Sequence, residues 1–287
     1  MRISESTYKK LVIIPIILIL GSITMLFVNY NTTGEVLVKG IDLEGGTQIT
    51  IHYSKSIDIS DAESNIRDFL GVADVDVVTT TNPASRQQET VIISASGDLE
   101  GSEMVEAAED YFGITLTPNT YSIKMLGSSL ATTFWGQAKW AFTFAFLFMA
   151  SVVFIYFRTP YPSFTVVLAI FCDILIILGF MSLFGIKLSL ATIAALLMIL
   201  GYGVDSNILL ANKILKESGG QVIDRIYDAM KTGLVMSAST ISAMLALVIL
   251  SNSIVLQQIG LVLLIGLMAD LVNTWILNGN LLLWHQK

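Results

Sequence analysis

The chain has 287 residues, 54% of them hydrophobic and 14% charged, with a formal net charge of -7. Soluble domains carry about 25% charged residues, so the composition excludes an ordinary soluble enzyme and implies a polytopic membrane protein. The acidity is local: residues 29–135 hold 16 acidic and 5 basic side chains, against 7 and 11 in the remainder. An acidic polar segment argues against nucleic acid as a partner, because phosphates demand Lys and Arg.

Apolar runs lie near 11–28, 138–157, 161–184, 188–210, 233–252 and 257–283. Each approaches the ~20 residues that a spanning helix needs, so the expected fold class is an α-helical polytopic membrane protein with six transmembrane helices and membrane lipid around them. The first run has no small-x-small cleavage site before Asn29 and is read as an anchor. Arg2, Lys9, Lys10, Arg158, Lys213, Lys216, Arg225, Lys231 and Lys287 all fall on one side if both termini are cytoplasmic. This predicts a cell-membrane protein with residues 1–28 as N-terminus and first span, 29–135 as an extracytoplasmic domain, and 136–287 as spans two to six.

The outer segment alternates strand and helix signals. GGTQITIHY reads as a strand by its apolar alternation. Ser60-Asp61-Ala62-Glu63 fits a capping box, opening a helix that should stop at Gly71. ADVDVVTTT and ETVIISASG read as strands, Ser102–Phe112 as an acidic helix ended by Gly113, and TYSIKML as a fourth strand. The order βαββαβ predicts an α+β, ferredoxin-like unit between helices 1 and 2. Asn31-Thr32-Thr33 is a glycosylation sequon on the outer side.

Three acids lie inside apolar runs: Asp173 in span three, Asp205 in span four and Asp270 in span six. A carboxylate in hydrocarbon costs roughly 2.5–3.5 kcal/mol even on lenient insertion scales, so such residues face partners or a water-filled path. At 1.5 Å per residue, Asp173 lies about 18 Å and Asp205 about 10 Å from the inner face. Asn207 follows Asp205 by two residues and Asn273 follows Asp270 by three, which points to a shared polar path. Lys231 stands where span five begins and can pair with an acid if the bundle shifts. These six residues are the proton-handling candidates; a purely structural, hydrogen-bonded carboxylate is the other reading. Gly201 and Gly203 just before Asp205, with small residues at four-residue spacing in span five, point to spans four and five packing closely or sliding past one another. Val222, Ile226 and Met230 give an amphipathic helix near 219–232, lying on the membrane surface or packed beneath the bundle. Cys172, the lone cysteine, reads as a small buried hydrophobe.

No GxxxxGKS/T pattern occurs, the two histidines His52 and His285 are far apart, and no Cys/His cluster offers a metal site. The sequence therefore predicts no cofactor, no metal and no hydrolytic energy source, leaving an ion gradient. GYGVD resembles the GxGD of intramembrane aspartyl proteases, but Val204 separates Gly203 from Asp205 and no PAL motif occurs. A passive scaffold is the third possibility.

Read together, the segments resemble the SecF branch of the SecD/SecF protein-export family, within the resistance-nodulation-division superfamily. GIDLEGGTQI at 40–49 is similar to the family signature GIDFxGGT at the start of the external domain, carried by Gly40, Asp42, Gly45, Gly46 and Thr47. The stretch from Arg158 to Val204 is similar to the family's third and fourth spans, with FCD where FHD is usual and GYGV for GYS-I/V. The resemblance covers essentially the whole chain. It implies a transport component rather than an enzyme, working with a SecD-like subunit beside the Sec translocon channel to move unfolded secretory polypeptide with the proton gradient. It matches Asp173 to the family's span-three acid. It places Asp205 in the V-D-S-N register of SecD rather than the N-D-T of bacterial SecF, and aligns Lys231-Thr232 with an Arg-Thr pair. Asp270 has no bacterial counterpart, and these departures resemble the archaeal branch.

Overall fold

The computed structural model describes residues 5–53, 57–72, 74–81, 88–97, 99–216, 221–251 and 253–285. The chain forms two compact units, one of residues 1–38, 140–187 and 191–287, the other of residues 39–139 with 188–190.

The second unit opens with a short helix, α3 (Ile41–Glu44), after the helices α1 (Glu5–Lys10) and α2 (Ile13–Thr33) of the first. Then come β1 (Gly46–His52), α4 (Ile59–Leu70), β2 (Val75–Thr81), β3 (Gln88–Ala95), α5 (Gly101–Phe112) and β4 (Tyr121–Leu126). The four strands make one antiparallel sheet in the order β2-β3-β1-β4. Alternate residues share a sheet face, so Ile49, Ile51, Val75, Val77, Val91 and Ile93 fall on one side. There they pack with Ile66 of α4 and Met104 of α5. The register pairs Ile49 with Ile93 and Ile51 with Val91 across the central strands.

The glycine-rich signature shapes the start of this sheet. The Gly40 amide donates to the Leu188 carbonyl at 2.8 Å, and Asp42 pairs with Lys124. Gly45 and Gly46 hold φ of 90° and 135°, a region L side chains avoid. A Cβ on Gly46 would also run into the Ala95 carbonyl. Thr47, buried beside them, donates to the Leu99 carbonyl at 2.7 Å. Two local details differ from expectation. Asp58, not Ser60, caps α4, accepting from the Ser60 and Asp61 amides, because its extended backbone aims its carboxylate at the helix end. Glu63, freed from a cap role, accepts instead from the Val77 amide. The helix stops at Gly71 in the left-handed conformation, and α5 likewise at Gly113. The capping box occurs in α5, between Glu100 and Glu103.

The first unit is helical: α2, then α6 (Ser128–Phe157, shared with the other unit), α7 (Pro160–Leu183), α8 (Leu190–Lys216), α9 (Val222–Leu250) and α10 (Ile254–Val272). A π-helical turn, Asn273–Asn278, and α11 (Gly279–His285) continue α10. Among the described residues, six helices are long and apolar enough to cross a membrane: Thr7–Thr33, Ser128–Phe157, Pro160–Leu183, Leu190–Lys216, Val222–Leu250 and Ile254–His285. The separate amphipathic helix expected near 219–232 is not a separate element. Its described part forms the first turns of α9, since no proline interrupts the run and Gly233 is packed against the Trp275 ring. The Asn31 sequon falls in the last turn of α2. α7 and α8 are the inner helices, burying Ile170, Ile177, Met181, Ile199 and Leu210, whereas α2, α6 and α9 turn most of their apolar surface outward. Glycines set the close approaches. Gly179 of α7 lies against the backbone of Ser22 in α2, and Gly266 of α10 lies against Ile199 and Ile177.

Gly46→Ala should destabilise the sheet unit by about 1–3 kcal/mol through backbone strain, measured as a lower midpoint in chemical unfolding of the full chain. A second expectation concerns Tyr111, whose hydroxyl donates to Asp61 at 2.9 Å. Partial burial, then that bond and the neighbouring carboxylates, push its pKa from 10.0 up to about 12. A raised pKa contributes stability that is complete below 10.0 and is lost as pH rises through about 12. A pH series of unfolding midpoints should show that alkaline loss in the wild type and a smaller one in Tyr111→Phe.

Candidate functional site

Asp173 on α7 and Asp270 on α10 are fully buried in the helical unit. Their common neighbour is Gly203 of α8. A methyl group placed there would sit 3.6 Å from Asp173 Oδ2 and 3.7 Å from Asp270 Oδ1, so both carboxyl groups converge on the bare face of that helix. Each acid receives a short side-chain hydrogen bond: Asn273 Nδ2 donates to Asp173 Oδ1 at 2.8 Å, and Thr274 Oγ1 donates to Asp270 Oδ1 at 2.7 Å. Ser206 of α8 also borders Asp270, with its hydroxyl 3.5 Å from the Tyr202 carbonyl. The Oδ2 atoms of both acids have no partner among the described residues. Nor does any Lys or Arg among those residues pair with either acid.

A second polar layer lies further along the sixth span. Asn278 Nδ2 donates to Asn207 Oδ1 at 2.6 Å, and Asn207 Nδ2 donates to the Gly203 carbonyl at 2.8 Å. The π-helical turn makes these contacts possible. An i→i+5 turn inserts one extra residue and rotates the facing of every later position in the helix. Asn278 thus points into the bundle, as Asn273 and Thr274 do at the start of the turn, each fully buried. The wider turn is held from outside by the N-terminal helix. The Tyr8 hydroxyl donates to the Trp275 carbonyl, in a notch that exists because residue 279 is glycine. Asn280 Nδ2 donates to the carbonyls of Tyr8, at 3.2 Å, and Ile276, at 2.8 Å.

Of the residues singled out from sequence, Asp173, Asp270, Asn273, Asn207 and Gly203 come together. Asp205 does not join them; it is exposed on the opposite side of α8. At 3.6 residues per turn, two positions are about 200° apart, so Asp205 faces away from both Gly203 and Asn207. The nearness of Asp205 to Asn207 in sequence is therefore not nearness in space. Lys231 is also exposed and pairs with Asp228 of its own helix at 3.0 Å. Gly203 packs against the carboxyl pair, not span five, and Gly201 has open space around it. Spans four and five meet instead through the Tyr202 hydroxyl, which donates to Ser237 Oγ at 2.9 Å. Sequence reasoning missed Thr274, Asn278, Asn280 and Tyr8. The signal was present as three asparagines and a threonine within NTWILNGN, and in the five-residue spacing of Asn273 and Asn278, which is the hydrogen-bond span of a π-turn.

Chemically the site is a buried set of oxygens, rich in acceptors and poor in donors. It can hold a proton or a cation. It does not have the geometry of an aspartyl protease built on GYGVD, because Asp205 faces no second carboxylate among the described residues.

Known proteins share this architecture. Residues 108–287 match the family profile described as protein export membrane protein SecD/SecF, C-terminal. The chain is 39% identical over 289 residues to the protein-export membrane protein SecF of Methanothermobacter thermautotrophicus, covering 99% of this chain and 94% of that protein. It is 37% identical to the SecF protein of Methanocaldococcus jannaschii, covering 97% and 95%. Among solved structures, the fold is similar to the crystal structure of SecDF, a translocon-associated membrane protein from Thermus thermophilus, with a TM-score of 0.76 at 19% identity. That match covers 98% of this chain and 38% of the longer SecDF polypeptide. A multi-pass membrane protein matched nearly end to end by SecF sequences, the chain belongs to the SecF branch of the SecD/SecF family of protein-export membrane proteins.

Proposed function

We propose that this chain works beside a SecD-type subunit at the Sec channel, and that the pair uses the proton gradient to promote movement of unfolded secretory polypeptide across the membrane. The observation that carries this reading is the Asp173–Asp270 pair: two fully buried acids, no bonded cation among the described residues, and one unpartnered oxygen on each. Scaffolding alone is better served by apolar packing, since replacing buried ionic groups with hydrophobic residues often stabilises a protein. An ionisable pair kept inside a membrane bundle is a device for taking up and releasing charge.

Asp205 and Lys231 act in this scheme at the partner's face. Asp205 is exposed on α8, and the outward apolar surface of α9 lies next in sequence. A carboxylate on a spanning helix needs a protein neighbour in hydrocarbon. A SecD-type subunit supplies it, completing a second polar path that the single chain only half lines. The charge pattern of the loops supports cytoplasmic termini, with residues 29–135 outside. The four-stranded sheet order and the βαββαβ sequence of elements support a ferredoxin-like external domain that engages the emerging polypeptide.

Gradient-dependent export in membranes carrying the chain with its SecD partner tests the reading. Asp173→Asn and Asp270→Asn should reduce it to background, while co-purification with the partner is unchanged. If either variant exports at the wild-type rate, the buried pair has no part in coupling. Asp205→Asn should also abolish coupling, through the partner-facing path. Neither the wild type nor any variant should cleave peptides, because the chain is a transport component.

A further inference from the structure

The outward face of α6 carries an ordered row. Phe144, Phe148, Val152 and Tyr156 follow one another at four-residue spacing, and all four are exposed. Side chains four apart form an inclined ridge along a helix. The Phe144 and Phe148 rings stack with centroids 6.2 Å apart, and Trp140 continues the stack beyond Phe144. At 1.5 Å per residue the row from Phe144 to Tyr156 is about 18 Å long. That is close to the depth of one leaflet, half of the ~30 Å hydrocarbon core.

The row ends on charge. Lys216, the last residue of α8, holds its ammonium 4.4 Å from the centre of the Tyr156 ring, and Asn212 Nδ2 donates to the Tyr156 hydroxyl at 2.6 Å. That hydroxyl accepts from Asn212 and keeps its own hydrogen to give. α6 stops at the next residue. Arg158, with a φ of 55°, turns the chain while its amide donates to the Phe154 carbonyl at 3.0 Å. Arg158 is exposed, two residues beyond Tyr156. No acid among the described residues pairs with Arg158 or Lys216. Lys213 lies in the same last turn of α8, and Arg225 donates to the Ile214 carbonyl, with Asp224 beside it in the first turn of α9. This end of the bundle is therefore basic.

An apolar row one leaflet long, then an amphipathic ring with a hydroxyl hydrogen to give, then two cations, is the layout of a phospholipid read from chain to headgroup. A free phosphate would meet the cations and leave the row unused. A spanning helix of another protein would cover the row but would have to bring its own acids to the cations. Basic pockets between spanning helices recognise anionic headgroups. We propose that this row and its basic end bind one anionic phospholipid, with a hydrocarbon chain along Phe148 and Val152 and the phosphate held by Lys216, Arg158 and the Tyr156 hydroxyl. In the orientation proposed above, the lipid belongs to the cytoplasmic leaflet.

Native mass spectrometry of the purified full chain, released from neutral detergent, counts the lipid it retains. Titrated with phosphatidylglycerol, the wild type should saturate at one retained molecule. Phosphatidylcholine with the same chains should not be retained, and soluble glycerol phosphate should not compete. Lys216→Gln and Arg158→Gln should each weaken retention about fivefold, the effect of one surface charge. Phe148→Ala should weaken it without altering the headgroup preference, whereas Lys139→Gln, a cation near the other end of α6, should change nothing. Each variant alters an exposed or surface side chain, so the fold is kept. Equal retention of the two lipids overturns the proposal. So does phosphatidylglycerol binding that persists in the Lys216→Gln, Arg158→Gln double variant, which places the lipid elsewhere. Competition by glycerol phosphate as strong as by the lipid reduces the site to an anion site and also overturns it. A photocrosslinker at position 148 in native membranes should capture lipid; capture of protein instead gives the row to a neighbouring helix and contradicts the proposal.

Discussion

Two carboxyl groups with no Lys or Arg paired to them among the described residues lie inside an apolar helical bundle, and much of the packing around them answers that burden. An acid within a span costs roughly 2.5–3.5 kcal/mol even on lenient scales, so two of them require hydrogen bonds from inside the bundle. Asn273 and Thr274, three and four residues after Asp270 and so on its face of the helix, provide these at the point where α10 gives way to a π-turn. The π-turn has its own needs, since a widened helix leaves carbonyls poorly satisfied. The Tyr8 hydroxyl and the Asn280 amide meet two of them. A chain of dependence thus runs from the N-terminal helix through the sixth span to the carboxyl pair.

The glycines belong to the same scheme. Gly203 gives the acids a bare helix face to meet, Gly279 admits Tyr8, and Gly179 and Gly266 bring the first, fourth and sixth spans close to the third and each other. Without a hydrophobic force between helices in lipid, such close approach is a main source of cohesion. The sheet unit obeys a different logic. It folds by ordinary alternation of apolar residues over two amphipathic helices, and its glycine signature sets the backbone geometry where the sheet begins.

Much of this was legible in the sequence. Period-two alternation located the four strands to within a residue or two, Gly71 and Gly113 marked helix ends, and runs of apolar residues located the six long helices. Asp173 and Asp270 were recognisable as costly residues. What sequence could not deliver was rotation. Asp205 looks central because it lies two residues from Gly203, yet those two residues turn it to the other side of α8. Asn278 was missed for the opposite reason: ordinary helical spacing places it off the face of Asp270, and only the π-turn brings it to Asn207. Nor could composition distinguish a surface-lying amphipathic segment from the first turns of α9, because both patterns are the same until the helix is seen to continue.

The central claim is that Asp173 and Asp270 exchange protons inside the chain, on a site distinct from the outward-facing Asp205. Infrared difference spectroscopy of the carboxyl carbonyl stretch across a pH titration reads this directly in the purified full chain. The account predicts a protonation band that survives Asp205→Asn and disappears or shifts in both Asp173→Asn and Asp270→Asn. A band that vanishes in Asp205→Asn and persists unchanged in the other two would contradict it.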